Sequence, residues 1–262
     1  MGKYLKLFDT HSDYNTYINS QDKILPNVSY CENENEVHYN PIETRVVAKF
    51  NVTSTSSATT ILANSTQTSE IEIDGVIQPS VVTSYTFDTT GEHTVKYTLA
   101  DPTTVSEHIF SNCINLTNVV IPNSVIYIDI GAFQNCTGLT NVTIPNSVTT
   151  IYSQVFSGCS GLTSISISNK VDFIGNQAFA GCINLTNVVL PNSVSIIGNG
   201  AFIGCMGLTS VTIQATTPPV IYSTDVFSGT NDCPIYVPSA SVETYKAATN
   251  WSSFASRIQS IP

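Results

Sequence analysis

Apolar residues between Phe110 and Val211 return at a fixed 23-residue spacing, and the polar residues between them keep the same register. Phenylalanine recurs at Phe110, Phe133, Phe156, Phe179 and Phe202. Cysteine follows three residues later at Cys113, Cys136, Cys159, Cys182 and Cys205, and leucine three later again at Leu116, Leu139, Leu162, Leu185 and Leu208. Then come Val119, Val142, Ile165, Val188 and Val211, and two positions on Ile121, Ile144, Ile167, Leu190 and Ile213. A period in the twenties with several apolar positions per unit predicts a solenoid, because one unit cannot bury its apolar face except against its neighbours. Leu116, Val119 and Ile121 mark a short strand, and Pro122, Pro145 and Pro191 end such strands by removing a ladder donor. A second apolar pair, Val125/Ile128, Val148/Ile151, Val171/Ile174 and Val194/Ile197, predicts a further short strand or bend, and Ala132-Phe133 through Cys136 a tight return.

The flanks carry other patterns. Thr44–Thr53, Thr60–Leu62, Glu70–Asp74 and His93–Leu99 are rich in β-branched residues, several with period-two alternation, and Asp74-Gly75 and Thr90-Gly91 supply turns. These predict a small, immunoglobulin-like β-sandwich over residues 44–104. Residues 1–43 are polar and mixed, compatible with a short helix within Leu5–Ile18 and a hairpin or loop over Glu32–Tyr39. After the fifth turn a degenerate sixth unit runs from Phe227 to Pro238. Residues 239–262 read as a cap, with a helix from Ser241 to about Ala248, another after Trp251, and Trp251 and Phe254 to pack on the last turn. The expected class is mainly β: an N-terminal anchor or oligomerisation segment (1–43), a sandwich spacer (44–104), a solenoid (105–238) and a short helical cap (239–262).

Composition narrows the functions. Charged residues make up 11% of the chain, the net charge is −10, and no basic cluster occurs, which argues against a nucleic-acid partner. No apolar run approaches the length of a membrane span. The N-terminus is positively charged without an apolar core, so no secretory signal peptide is expected, and Lys6 stands where a myristoylation signal wants Ser or Thr. Five of seven cysteines share one repeat position, without Cys-x-x-Cys or paired histidines, so they predict a buried column of small apolar groups and neither zinc nor any other metal. Cys31 and Cys233 lie outside the column, free or bridged. Glu32, Glu34 and Glu36 alternate on one side of an extended segment, either a solvated face or a weak cation site.

Catalytic chemistry finds little footing. His11, His38, His93 and His108 are scattered, and Asp129, Asp172 and Glu107 are the only acids from Val105 to Ile213, on different turns. Gly198-Asn-Gly200 with Gly204 misses the dinucleotide-binding spacing by one residue. No catalytic residue and no cofactor are expected. For binding, the constant column Thr117, Thr140, Thr163, Thr186 and Thr209 predicts a structural hydroxyl ladder. Tyr127, Thr150, Phe173 and Ile196 carry larger groups at a position the core does not need. They are either tucked under the neighbouring turn or exposed as a stripe for a sugar or a protein.

The repeated Ile-Pro-Asn-Ser-Val and Ala-Phe-x-x-Cys-x-x-Leu, over about residues 105–238, resemble the BspA-type leucine-rich repeat, with Ser168 replacing the proline and Val155 the alanine in turn three. That resemblance implies a right-handed solenoid used in adhesion or recognition. The segments Tyr4–Asp9, Leu25–Glu32 and Val37–Pro41 are similar to the opening of structural proteins of tailed phages infecting Bacteroidota, crAss-like phages among them. This second resemblance implies a virion fibre or decoration protein, dimeric or trimeric, bound to capsid or tail proteins through its N-terminus and to host-surface glycan or protein through its solenoid. The alternative is a bacterial cell-surface adhesin. Ligand, copy number and head-or-tail placement are left open by the sequence.

Overall fold

The computed structural model describes residues 28–31, 36–39 and 45–262. Strands β1 (Val28–Cys31) and β2 (Glu36–Tyr39) pair antiparallel, Val28 opposite Tyr39, within a first unit ending at Thr44. The helix expected within Leu5–Ile18 and the side chains of Glu32, Glu34 and Glu36 lie outside the described residues.

The second unit, Arg45–Pro262, begins with β3 (Val46–Val52), β4 (Thr59–Thr60), β5 (Thr68–Ile73), β6 (Val76–Ile77), β7 (Ser84–Tyr85), β8 (Gly91–Leu99) and β9 (Thr104–Val105). In β3 the alternation is plain: Val46, Ala48, Phe50 and Val52 are buried while the residues between them face out. Asp74 and Gly75 both adopt positive φ, 46° and 85°, as a two-residue turn between strands of this twist requires. Strands β6, β5, β8 and β3 form an antiparallel sheet in that order, and β4 with β7 makes a separate ribbon. The ribbon is tied to the sheet by the buried Tyr97 hydroxyl, which donates to the Ile61 carbonyl at 2.6 Å.

Each solenoid turn then adds two strands: β10 (Leu116–Val120) and β11 (Tyr127–Ile128), β12 (Asn141–Thr143) and β13 (Thr150–Ile151), β14 (Ser164–Ser166) and β15 (Phe173–Ile174), β16 (Asn187–Leu190) and β17 (Ile196–Ile197), β18 (Ser210–Ile213) and β19 (Val220–Ile221). The sixth contributes β20 (Ile235–Val237). The second strands stack in parallel with β9 as one six-stranded sheet, β9-β11-β13-β15-β17-β19. The first strands split into β10-β12-β14 and β16-β18-β20. The initial antiparallel sheet continues into the solenoid, because β3 pairs antiparallel with β10, Ala48 opposite Val119.

The core is a stack of repeated side chains. The rings of Phe110, Phe133, Phe156, Phe179, Phe202 and Phe227 lie face to face at centroid spacings of 5.1–5.6 Å, with successive planes within 13° of parallel. Both ends of the stack are closed by an edge-on aromatic. Tyr97 meets Phe110 at 75° and 5.0 Å, and Phe254 meets Phe227 at 80° and 5.6 Å.

The tail holds helix α1 (Val242–Ala247), a 3-10 turn over Trp251–Phe254 and strand β21 (Ile258–Ser260), which pairs parallel with β20. Tyr245, Trp251 and Phe254 are buried as the cap reading expects, while β21 is an additional strand that its three residues, Ile-Gln-Ser, did not announce. No helix among the described residues is long and apolar enough to cross a membrane.

Candidate functional site

Two side-chain columns, one buried and one at the surface, fix the backbone from which any site must be built. Cys113, Cys136, Cys159, Cys182 and Cys205 are fully buried free thiols. The Sγ atoms of Cys136, Cys159, Cys182 and Cys205 donate to the carbonyls of Phe110, Phe133, Phe156 and Phe179 at 3.0–3.2 Å. That same carbonyl of Phe110 or Phe133 also accepts the amide of the cysteine in its own turn. The thiol therefore supplies a donor across turns, a role beyond small apolar filler. Burial pushes the Cys159 thiol up to about 12, which keeps it protonated and able to donate. Cys233 is likewise a buried free thiol. Among the described residues no group of three or more His, Cys, Asp or Glu is placed to hold a metal.

The threonine ladder is also a side-chain-to-backbone ladder. Thr140, Thr163, Thr186 and Thr209 each donate Oγ1 to the carbonyl of the threonine one turn earlier at 2.9–3.3 Å, and Thr117 donates to Lys49 on β3 at 3.1 Å. These hydroxyls are committed within the fold and offer little to a ligand.

The stripe is brought together. Tyr127, Thr150, Phe173 and Ile196 open β11, β13, β15 and β17 and lie directly opposite one another in the parallel ladder, extended by Thr104 and Val220. Tyr127 is 41% exposed, and Thr150, Phe173 and Ile196 are half-buried, so each shows one edge to solvent while the next residue, Ile128 through Ile197, fills the core. Tyr152 adds an exposed ring 6.3 Å from that of Tyr127, and Tyr222 an exposed ring beyond Val220. Gly175 follows Ile174 as Tyr152 follows Ile151, and a Cβ there would stand 2.5 Å from the Tyr152 carbonyl carbon, so this column keeps its large groups to particular turns.

A second feature is not marked as a site by the sequence, whose column Val120, Thr143, Ser166, Val189 and Thr212 reads only as a small, flat sheet surface. On the outer face of β10, β12 and β14 lies an open cleft of about 720 Å³. Val119, Ile121 and Ile144 underlie it, and Asn118, Val120, Asn123, Asn141, Thr143, Asn146, Ser166 and Asn169 line it with neither a charged nor an aromatic residue. Its signal is present in Ile-Pro-Asn-Ser and its variants Ile-Ser-Asn-Lys and Leu-Pro-Asn-Ser, which return an asparagine at 123, 146, 169 and 192.

Among curated proteins none matches the chain. Several solved structures resemble it over part of their length. A leucine-rich repeat protein of T. pallidum is 30% identical over 51% of this chain and 61% of that one, with a TM-score of 0.45. A leucine-rich repeat protein of Bacteroides ovatus is 24% identical over 58% of this chain and 45% of that one, at 0.39. The pneumococcal vaccine antigen PcpA is 18% identical over 63% of this chain and 44% of that one, at 0.48. The chain thus spans between 44% and 61% of the length of these proteins. The profile of the BspA type leucine rich repeat region matches residues 103–233 as six copies, half of the chain and the same turns that stack their phenylalanines, so the chain belongs to the BspA-type leucine-rich repeat family.

Proposed function

We propose that the chain is a non-enzymatic recognition protein whose solenoid presents a surface to host glycan or protein. The observation that carries this reading is the in-register, half-exposed column Tyr127, Thr150, Phe173 and Ile196, set on a rigid ladder of hydrogen-bonded turns. Aromatic edges at a fixed spacing suit stacking against a sugar or packing against a partner side chain, and a preformed scaffold lowers the entropy lost on binding. The similarity of the N-terminal segment to phage structural proteins supports placing the chain on a virion, as a head or tail fibre or decoration protein held by capsid or tail proteins. Copies assembled there as dimers or trimers would gain avidity from individually weak contacts. Membership of the repeat family favours a second reading, a bacterial cell-surface adhesin with the same solenoid work at a different address.

Localisation separates the two. An antibody raised to residues 105–262 is used to fractionate the source culture and to gold-label purified particles. Co-sedimentation with phage and labelling of head or tail is the expected outcome. Retention in the bacterial envelope, with unlabelled particles, overturns the virion placement and installs the adhesin.

A further inference from the structure

Several asparagine side chains of the solenoid are occupied by the fold. The Asn135 amide donates to the Asn112 side-chain oxygen at 3.0 Å, Asn184 to the Ser160 carbonyl at 2.8 Å, and Asn115 to the Asn51 carbonyl at 2.9 Å. The five asparagines of the β10-β12-β14 cleft differ: Asn118, Asn123, Asn141, Asn146 and Asn169 make no side-chain hydrogen bond with the described residues. Asn118 is half-buried and the other four are exposed, so five amides without a partner among the described residues line one open cleft, each offering a paired donor and acceptor.

We propose that this cleft is a carbohydrate-binding site for an uncharged oligosaccharide lying across β10, β12 and β14. The proposal rests on the recognition reading above and supplies its ligand class and a site distinct from the aromatic stripe. The cleft volume, about 720 Å³, falls within the range of small-ligand sites. Its chemistry disfavours the other classes in turn. An anionic ligand, whether nucleic acid, sulfated glycan or uronate, needs cations, and the cleft has none. Lys49, opposite Asn118 on the adjoining strand, is already paired with Glu92 at 2.7 Å. To a protein partner the cleft offers no Tyr, Trp or Arg anchor of its own. A lipid-like or aromatic ligand would leave the five amides desolvated without partners, at a penalty that opposes binding. Vicinal hydroxyls of a neutral sugar satisfy amide donors and acceptors together. Neighbouring strands place Asn118 beside Asn141 and Val120 beside Thr143 beside Ser166, with strands about 4.8 Å apart. An elongated chain of sugar units crossing the strands meets Asn123, Asn146 and Asn169 in turn.

The test titrates the full-length chain with neutral oligomers of glucose (β1,4 and α1,4), xylose and N-acetylglucosamine, and with oligogalacturonate, sialyllactose and a heparin hexasaccharide as charged probes, by calorimetry and NMR. At least one neutral series is expected to bind, the charged probes not. The double variant Asn118→Ala/Asn141→Ala is expected to weaken binding by about tenfold or more, and Thr212→Ala, on β18 outside the cleft, to leave it unchanged. Asn141→Asp, which keeps the size and adds charge, gives a second reading if the double variant unfolds at lower temperature. Binding confined to charged probes, absence of binding to every neutral oligomer, or neutral binding that follows Tyr127→Ala and ignores the asparagines overturns the proposal. A chain that still decorates particles or cells while every neutral oligomer fails leaves the recognition reading standing and removes this one alone.

Discussion

The antiparallel strands of residues 45–99 and the parallel turns after Phe110 share one sheet but are held by different means. The first region is specified by charges at particular places. Glu72 accepts from Arg45 at 2.8 Å and meets Lys96 at 3.1 Å, Lys49 pairs with Glu92 at 2.7 Å, and His93 pairs with Asp74 at 2.6 Å. The second has a single basic residue, Lys170, and three acids from Val105 to Ile213, and relies on identical groups meeting one turn apart. A slip of one residue in a strand would turn its apolar set outward, which both regions resist by burial. A slip of one whole turn in the solenoid would keep almost every contact, since each unit resembles the next. Unique ends are what forbid it: Tyr97 on β8 and Phe254 in the tail each close the phenylalanine stack once. The charged region thus acts as a start block for a ladder that has no register mark of its own.

The largest expected effect sharpens this contrast at the stack. Phe156→Ala removes a fully buried ring between Phe133 and Phe179 and should destabilise the protein by about 3–5 kcal/mol in urea unfolding. Tyr97→Phe keeps the ring at the end of the stack but leaves the Ile61 carbonyl without its donor, for about 1–3 kcal/mol. If the end change proves as damaging as the central one, the two regions are not held by different means.

Next comes the ion pairing. Hydrogen bonds from Arg45 and then Lys96 outweigh desolvation and hold the Glu72 carboxyl below its ordinary 4.5. A depressed carboxylate contributes stability that is complete above its unfolded pKa and lost as pH falls through the folded value, so the loss is expected below about pH 4.5. Glu72→Gln should remove that acid-side dependence and about 1 kcal/mol of stability at neutral pH. Raising salt should mimic part of the loss in the parent and change the variant less. A variant with the parent's acid profile would show that Glu72 does not hold the first region together.

How far the sequence led follows from the same contrast. Where a contact is repeated, its period exposes it: the phenylalanine, cysteine, threonine and stripe columns stand in register as their 23-residue spacing implies. Where a contact is made once, no pattern advertises it. The antiparallel docking of β3 on β10 joins segments about 70 residues apart, and nothing in Val46–Val52 names its partner. Strand β21 is too short and mixed to show a period. The cleft asparagines repeat visibly, but their lack of internal partners, which separates them from Asn112 or Asn184, is a property of the folded chain.

The smallest effect lies at the Asp74-Gly75 turn within the charged region, where His93 is 8% exposed. Its Nδ1 faces the Asp74 carboxylate at 2.6 Å and its Nε2 the Thr89 carbonyl at 2.9 Å. Both partners are acceptors, and only the imidazolium carries a proton on each nitrogen. Burial works against that charge, but the hydrogen bonds to Asp74 and to the Thr89 carbonyl, with the Asp74 charge, prevail and raise the pKa above 6.5. A raised histidine contributes stability that is complete below its unfolded pKa and lost as pH rises through the folded value. The protein should therefore lose a little stability on passing from pH 6.5 into the mildly alkaline range. Asp74→Asn removes the charge while keeping an oxygen able to accept from the Thr94 amide, and should flatten that slope. An NMR titration of His93 gives the direct reading: a midpoint at or below 6.5 in the parent would mean that burial wins and that the turn is held by a neutral ring. The solenoid, with no histidine after His108, should show no such slope, so alkaline loss that persists in Asp74→Asn would have to arise elsewhere than in this turn.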